Sequence, residues 1–85
     1  DVALRARGVY IGGEDAATGS AAGCTAAWLV RYGAAAPEQS VHIRQGVEMK
    51  RTSDIFVRAS RDRDKIVNVR VGGYAVQTME GEVIL

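Results

Sequence analysis

Cysteine and net charge are both scarce in this sequence of 85 residues. The single cysteine, Cys24, cannot form a disulfide within the chain or pair with a second thiol around zinc, which favours a reducing compartment such as the cytoplasm. Eleven basic side chains nearly balance ten acidic ones, so that the net charge is +1. A balance of this kind gives no electrostatic footprint for nucleic acid or an anionic membrane, and we expect neither as a partner.

Long apolar runs and clustered aromatic residues are missing as well. No run approaches the roughly 18 apolar residues that span a bilayer, and the opening residues DVALRARG have no signal-peptide core. Five aromatic residues are dispersed along the chain and suggest no stacking platform for bases. We therefore expect a soluble, cytoplasmic protein with a single small domain, residues 1–85.

Leucine is outnumbered by β-branched residues, which favour strands over helices. Eleven valines and five isoleucines stand against three leucines. The apolar spacing predicts five strands: Val41 to Gln45, Ile55 to Ala59, one built on Val67, Val69 and Val71, Tyr74 to Met79, and Glu82 to Leu85. We expect a hairpin loop at Arg61 to Asp64, a break between strands at Gly72–Gly73 and a tight turn at Glu80–Gly81.

One alanine-rich segment, Ser20 to Tyr32, interrupts this pattern and predicts the helix, with Gly33 as its C-terminal cap. Because the segment is apolar nearly all round, we expect the helix to be buried and Cys24 to be a small buried hydrophobe. The predicted fold class is α+β: a mostly antiparallel, curved sheet wrapped around one central helix.

The start of this helix has two interpretations. Thr18 or Ser20 can cap it, because a side-chain oxygen there accepts a hydrogen bond from a first-turn N–H. The same unpaired N–H groups also attract a carboxylate or phosphate, and Gly19 with its small neighbours leaves room for one. A phosphate loop is excluded, since its lysine is absent.

Two carboxylates, Glu14 and Asp15, precede the helix start. Either one can simply favour the positive end of the helix. The alternative is that one of them faces a pocket, where partial burial suits it to proton transfer. The residues alone leave both possibilities open.

Three motifs in this chain resemble those of the PhzF-like isomerases of phenazine biosynthesis, which share the diaminopimelate-epimerase fold. The segment from Glu14 to Ala21 is similar to E-D-P-A-T-G-S-A, and the segment from Gln45 to Ser53 is similar to Q-G-x-x-M-x-R-x-S. The third motif, V-G-G-x-A-V followed by G-E, lies between Val71 and Glu82. Together these motifs cover nearly the whole chain.

The resemblance implies one half of a two-half fold, in which each half wraps a sheet around a helix and the active site lies between them. This chain resembles the C-terminal half. By that resemblance, Asp15 is the catalytic residue supplied by this half, and Thr18, Gly19 and Ser20 bind the carboxylate of a small metabolite. No metal or organic cofactor is implied. The family's acid/base glutamate belongs to the other half.

Ala16 departs from the family pattern twice. It stands where PhzF-like proteins usually have proline, and where the related epimerases and racemases have a catalytic cysteine, so cysteine chemistry is excluded at this site. Glu38, Glu48 and His42 are not substitutes for the missing glutamate, and we expect His42 to be solvent-facing or locally bonded. Arg51 and Ser53 either border the cleft or belong to an ordinary turn, in which the arginine holds a loop carbonyl or a carboxylate.

We therefore expect part of a cofactor-independent isomerase or epimerase. The alternative is a non-catalytic binding or assembly module that pairs with another chain. Both ends of the sequence look cut, and we expect a partner, either an N-terminal half or a second copy. The isolated chain should be inactive and inclined to associate, because surfaces meant for the partner are exposed.

Overall fold

The computed structural model describes residues 2–84. Six strands and one helix follow in the order β1 (Leu4–Ala6), β2 (Gly8–Tyr10), β3 (Gly13–Asp15), α1 (Gly19–Arg31), β4 (Val41–Gln45), β5 (Ser53–Asp62) and β6 (Lys65–Gly73). Four strands form one sheet in the order β1-β4-β5-β6, and β2 pairs with β3 in a separate hairpin. The prediction of an α+β fold with a single helix is confirmed for residues 2–84.

Antiparallel pairing dominates, as predicted, although β1 runs parallel to β4. The sequence pattern gave no separate prediction for β2 and β3, because strands of three residues are too short to show alternation. The predicted hairpin loop is confirmed and is tighter than expected. Strands β5 and β6 extend to Asp62 and Lys65, so that only Arg63 and Asp64 make the turn.

The core lies between one face of α1 and the sheet. It consists of buried small and branched side chains: Ala22, Ala26, Leu29 and Val30 of the helix, Ala35 after it, and Val41, Ile43, Ile55, Val57 and Ala59 of β4 and β5. At Gly23 the helix also packs against β6, where a Cβ would lie 3.5 Å from Val71 and 3.6 Å from Val69, within ordinary van der Waals distance.

The opposite face of α1 is exposed, and the prediction of a helix buried all round is wrong for this chain. Cys24 is exposed rather than buried, and Trp28 is 58% exposed. The physical reason is geometric, because a four-stranded sheet covers only one side of a helix. No helix within residues 2–84 has the length and apolar character needed to cross a membrane.

Residues 74–84 contain no strand, so the predicted strands Tyr74 to Met79 and Glu82 to Leu85 are wrong, apart from Leu85, which lies outside the described residues. The tight turn expected at Glu80–Gly81 is also missing, and Gly72–Gly73 ends β6 instead of separating two strands. An apolar alternation becomes a strand only when a neighbour accepts its hydrogen bonds. None is placed beside this segment in the described chain, and Ile84 is 93% exposed.

Candidate active site at the start of the helix

The segment between β3 and α1 forms a short loop that the Asp15 side chain organises. One carboxylate oxygen of Asp15 accepts a hydrogen bond from the Ala17 N–H at 3.3 Å. The other accepts a hydrogen bond from the Thr18 hydroxyl at 2.8 Å. The carboxylate therefore curls towards the helix start, and Asp15 remains exposed as a residue.

Gln45, the last residue of β4, holds this loop from below. It is 3% exposed, the one buried polar side chain in the described core. Its side-chain oxygen accepts a hydrogen bond from the Thr18 N–H at 3.1 Å. Its side-chain nitrogen donates to the Asp15 carbonyl and to the Thr18 hydroxyl oxygen, each at 2.9 Å. The first and second motifs of the sequence therefore meet in one hydrogen-bonded cluster.

Two glycines allow this cluster to pack closely. A Cβ on Gly8 would lie 2.9 Å from the Thr18 hydroxyl oxygen and 3.0 Å from the Gln45 amide nitrogen. Gly46 has a φ of +81°, and a Cβ there would collide with the Arg51 carbonyl and lie 2.9 Å from that of Ala16. Both positions leave no space for a side chain.

The amide groups that open α1 are exposed. The first helical hydrogen bond runs from the Ala22 N–H to the Thr18 carbonyl at 3.1 Å. The N–H groups of Gly19, Ser20 and Ala21 have no acceptor within residues 2–84, and the space around Gly19 is open. A helix start of this kind carries partial positive charge and three donors without an acceptor in the described chain.

The expected side-chain cap is not formed. Thr18 occupies the N-cap position with extended backbone angles, yet its hydroxyl makes no capping hydrogen bond. The reason is that this hydroxyl already donates to Asp15 and accepts from Gln45. Ser20 lies inside the first turn and is exposed, so it does not cap the helix either.

The two adjacent carboxylates have different partners. Glu14 accepts two hydrogen bonds from the Arg7 guanidinium, at 2.7 and 3.2 Å. This hydrogen bonding and the arginine's charge lower the pKa of Glu14, against an opposing contribution from burial. Alternation along β3 sends the neighbouring Asp15 to the other face. Of the two, only Asp15 bonds to the loop at the helix start.

A cavity of about 290 Å³ lies beside the first two turns of α1. Its wall next to the loop is formed by Gly8, Thr18, Ala21, Ala22 and Gln45. The side chains in this wall are small apart from Gln45. The cavity therefore leaves space for a small molecule beside Thr18 and Gln45, although Asp15, Gly19 and Ser20 are not part of its lining.

The remaining candidates make no hydrogen bond to this loop within residues 2–84. His42 is locally bonded, as predicted: its Nε2 lies 2.8 Å from an Asp54 carboxylate oxygen, and its ring stacks on Phe56. Hydrogen bonds from His42 and then Arg44 lower the pKa of Asp54. Within residues 2–84, no three His, Cys, Asp or Glu side chains are grouped to hold a metal.

The other polar candidates serve local structure. Glu38 accepts hydrogen bonds from Ser60 and Arg70, and Glu48 pairs with Arg5. A turn follows Gly46, because the Arg51 N–H donates to the Gly46 carbonyl at 2.9 Å, whereas Ser53 begins β5 and lines a small pocket together with Ala17. The Arg51 side chain makes no hydrogen bond within the described chain.

Gln45 is the residue whose role the sequence reasoning missed. A signal for it was present, because it shares a strand face with Val41 and Ile43 and is the polar member of that buried row. A polar side chain at a core position needs partners, and its partners here are the loop atoms of Asp15 and Thr18.

Comparison with known proteins identifies related sequences. A family model described as "Phenazine biosynthesis-like protein" matches residues 7–81. The chain is 44% identical over 72 residues to a trans-2,3-dihydro-3-hydroxyanthranilate isomerase of Pseudomonas chlororaphis, and 43% identical to the isomerase of the same name in Pseudomonas fluorescens. It is 36% identical over 73 residues to an uncharacterized isomerase of Mesorhizobium japonicum.

The length covered differs between this chain and its relatives. Each alignment includes 85% of this chain, but only 26% of each Pseudomonas protein and 24% of the Mesorhizobium protein. The chain therefore spans about a quarter of the length of the curated relatives that it matches.

Proposed function

The chain belongs to the phenazine biosynthesis-like family, as its three motifs predicted, and from that premise we propose that it supplies part of an isomerase active site. The substrate is a small metabolite with a carboxylate, of the chemical type of dihydro-hydroxyanthranilate. The relatives named for that activity are matched over the segment that contains the loop and helix start. The reaction is an isomerisation that requires no cofactor.

The exposed amides of Gly19 and Ser20 carry the proposal. They are unpaired donors at the positive end of α1, and a carboxylate placed there receives charge-assisted hydrogen bonds. The Ser20 hydroxyl adds a third donor, and the Thr18 backbone fixes the start of the turn. An anchor of this kind holds the substrate in one orientation, which lowers the entropy cost of reaching the transition state.

Asp15 is proposed as the catalytic group that this chain contributes. Its carboxylate lies next to the amide anchor and stays accessible, whereas Glu14 is occupied by Arg7. In this role Asp15 assists a proton shift whose main acid/base group, a glutamate, is supplied by another part of the protein. A positioned acid/base group contributes about 10²- to 10⁴-fold to the rate.

The proposal includes the rest of the fold. The sheet and helix described above correspond to the C-terminal half of an epimerase-like fold, and the site faces the other half in the cytoplasmic enzyme. A second half or a second copy of the chain covers the exposed apolar face of α1. This face includes Trp28 and the adjoining Tyr32, whose ring centroids lie 5.3 Å apart.

Turnover of the intact protein with dihydro-hydroxyanthranilate tests the assignment. Asp15→Ala should lower kcat by about 10²-fold or more. Ser20→Ala should raise KM about tenfold, because a hydrogen bond to a charged group is lost. Matched controls are Asp64→Ala in the hairpin turn and Ser40→Ala before β4, both exposed and distant from the loop. Near-normal kinetics for both site variants would remove the proposal.

Assembly without catalysis is the second candidate, and the exposed aromatic pair on α1 favours it. Sedimentation of the isolated chain and of its Trp28→Ser variant distinguishes the assembly role from the enzymatic one. A stable homodimer that Trp28→Ser dissociates, without affinity for anthranilate, supports the assembly role. Anthranilate binding that shifts the amide resonances of Gly19 and Ser20 supports the enzymatic one.

A further inference from the structure

We infer that Gln45 is a positioning residue for Asp15, and that it acts by forcing the Thr18 hydroxyl to donate to the Asp15 carboxylate. The inference rests on the proposed function of Asp15. It adds a residue that lies outside the first motif, 30 positions along the chain from Asp15.

The orientation of the Gln45 amide follows from its backbone partners. The Thr18 N–H is a donor only, so the side-chain oxygen of Gln45 must face it, at 3.1 Å. The Asp15 carbonyl is an acceptor only, so the side-chain nitrogen must face that atom, at 2.9 Å. If the amide were reversed, its nitrogen would face the Thr18 N–H, donor against donor, and its oxygen would face the Asp15 carbonyl, acceptor against acceptor.

The second hydrogen of the same nitrogen then fixes the Thr18 hydroxyl. That hydrogen is donated to the Thr18 hydroxyl oxygen at 2.9 Å, which uses the oxygen as an acceptor. The hydroxyl hydrogen must point elsewhere, and the Asp15 carboxylate oxygen lies 2.8 Å away. Each bond in the series Gln45, Thr18, Asp15 therefore has only one possible direction.

Burial makes this series rigid. Gln45 is 3% exposed, so its amide hydrogen bonds do not exchange with solvent. Gly8 lies against both side chains, because a Cβ there would lie 2.9 Å from the Thr18 hydroxyl oxygen and 3.0 Å from the Gln45 amide nitrogen. The exposed carboxylate of Asp15 is thus held from the protein interior while its outer side remains free for a ligand.

The direct test compares Thr18→Val, which keeps the shape but removes the hydroxyl, with Thr18→Ser, which keeps the hydroxyl. Turnover of the intact protein is measured as separate kcat and KM values. We expect Thr18→Val to lower kcat about tenfold to a hundredfold with KM nearly unchanged, because Asp15 loses its fixed position. Thr18→Ser should recover most of the rate. A raised KM with normal kcat would mean that the hydroxyl contacts substrate, and would overturn the inference.

Gln45→Glu tests the first member of the series. A glutamate there carries at most one donor hydrogen where the amide has two, so the bonds to the Asp15 carbonyl and to the Thr18 hydroxyl cannot both be kept and the support of Asp15 is weakened. We expect a loss of kcat similar to that of Thr18→Val. Gln39→Glu is the matched control, since Gln39 is exposed and its side chain bonds only the neighbouring Ala36 N–H within residues 2–84. A kcat for Gln45→Glu equal to that of this control, in folded protein, contradicts the inference.

A double-mutant cycle separates positioning from a general structural effect. If Thr18 acts through Asp15, Thr18→Val should cost no further kcat in an Asp15→Ala background. If the two substitutions instead lowered kcat by factors that multiply, the inference would be overturned while the role of Asp15 remained intact. Normal turnover of Asp15→Ala alone would instead overturn the proposed function, and the inference with it. The Thr18 series decides even if Gln45→Glu fails to fold.

Discussion

The two ends of helix α1 are built in opposite ways. At its C-terminal end the last carbonyls are closed by backbone donors: the Gly33 N–H bonds the Val30 carbonyl at 3.3 Å and the Ala34 N–H bonds the Leu29 carbonyl at 2.9 Å. With φ of +76° at Gly33, this is a Schellman motif. At the N-terminal end, the Gly19 and Ser20 amides have no partner in the described chain.

The difference shows which end serves structure and which is available for binding. A Thr18 cap of the ordinary kind would satisfy one of the open amides, but its hydroxyl is turned to Asp15 instead. The helix therefore gives up a contribution of about 1 kcal/mol from capping. The open amides remain free for an acceptor from outside the chain.

The largest expected effect is on the stability of the loop before the N-terminal end of α1, against which Gly46 packs. Gly46→Ala should lower the free energy of unfolding by roughly 2 to 5 kcal/mol, because it combines backbone strain with a collision against two carbonyls. Urea unfolding of the intact protein measures this change. Gly81→Ala, where the space is open and φ is not positive, is the control. Equal stability of the two variants would mean that the loop is not held by close packing.

A smaller effect compares the two helix-end glycines directly. Gly33→Ala should cost about 1 kcal/mol of stability, since only the positive φ is unfavourable there. Gly19→Ala should change stability by less than about 0.5 kcal/mol, yet raise KM by placing a methyl group beside the anchoring amides. Unfolding and kinetic measurements on both variants check the contrast. The prediction is contradicted if Gly19→Ala lowers stability as much as Gly33→Ala does, or if it leaves KM unchanged.

The smallest effect is a pH dependence. The pKa of Glu14 is lowered from its ordinary value of 4.5 by its bonds to Arg7. These bonds therefore stabilise the fold fully above about pH 4.5, and the stabilisation is lost as the pH falls through the lowered pKa. Asp54 behaves likewise from an ordinary value of 3.8. Glu14→Gln and Asp54→Asn should each flatten the fall of stability measured between pH 5 and pH 2. Acid slopes equal to that of the unmodified protein would contradict both assignments.

Regular elements with strong periodicity were predictable from the sequence. Strand β4 has the predicted bounds, Val41 to Gln45, and the helix is displaced by one residue at each end. The loop at the helix start was also located, since glycine, serine and small residues next to two carboxylates indicate it directly. These features depend on local chemistry that neighbouring residues determine.

Features that depend on distant partners were not predictable in the same way. The residues from Tyr74 to Met79 do not indicate whether another strand lies beside them, and the segment has no regular secondary structure. The use of the Thr18 hydroxyl as a donor to Asp15 depends on Gln45, which is 27 residues away from Thr18. Local capping preference was overridden by that long-range contact.

The contact of Gln45 with Thr18, 27 residues away in the sequence, affects when the loop can form during folding. A peptide of residues 8–31 contains the whole first motif, yet it lacks the buried amide that shapes the loop. Such a peptide would leave the Asp15 carboxylate free to rotate in water. The loop can take this hydrogen-bonded form only after β4 has docked beneath the helix, so the carboxylate binding that we propose would report that this non-local contact is complete.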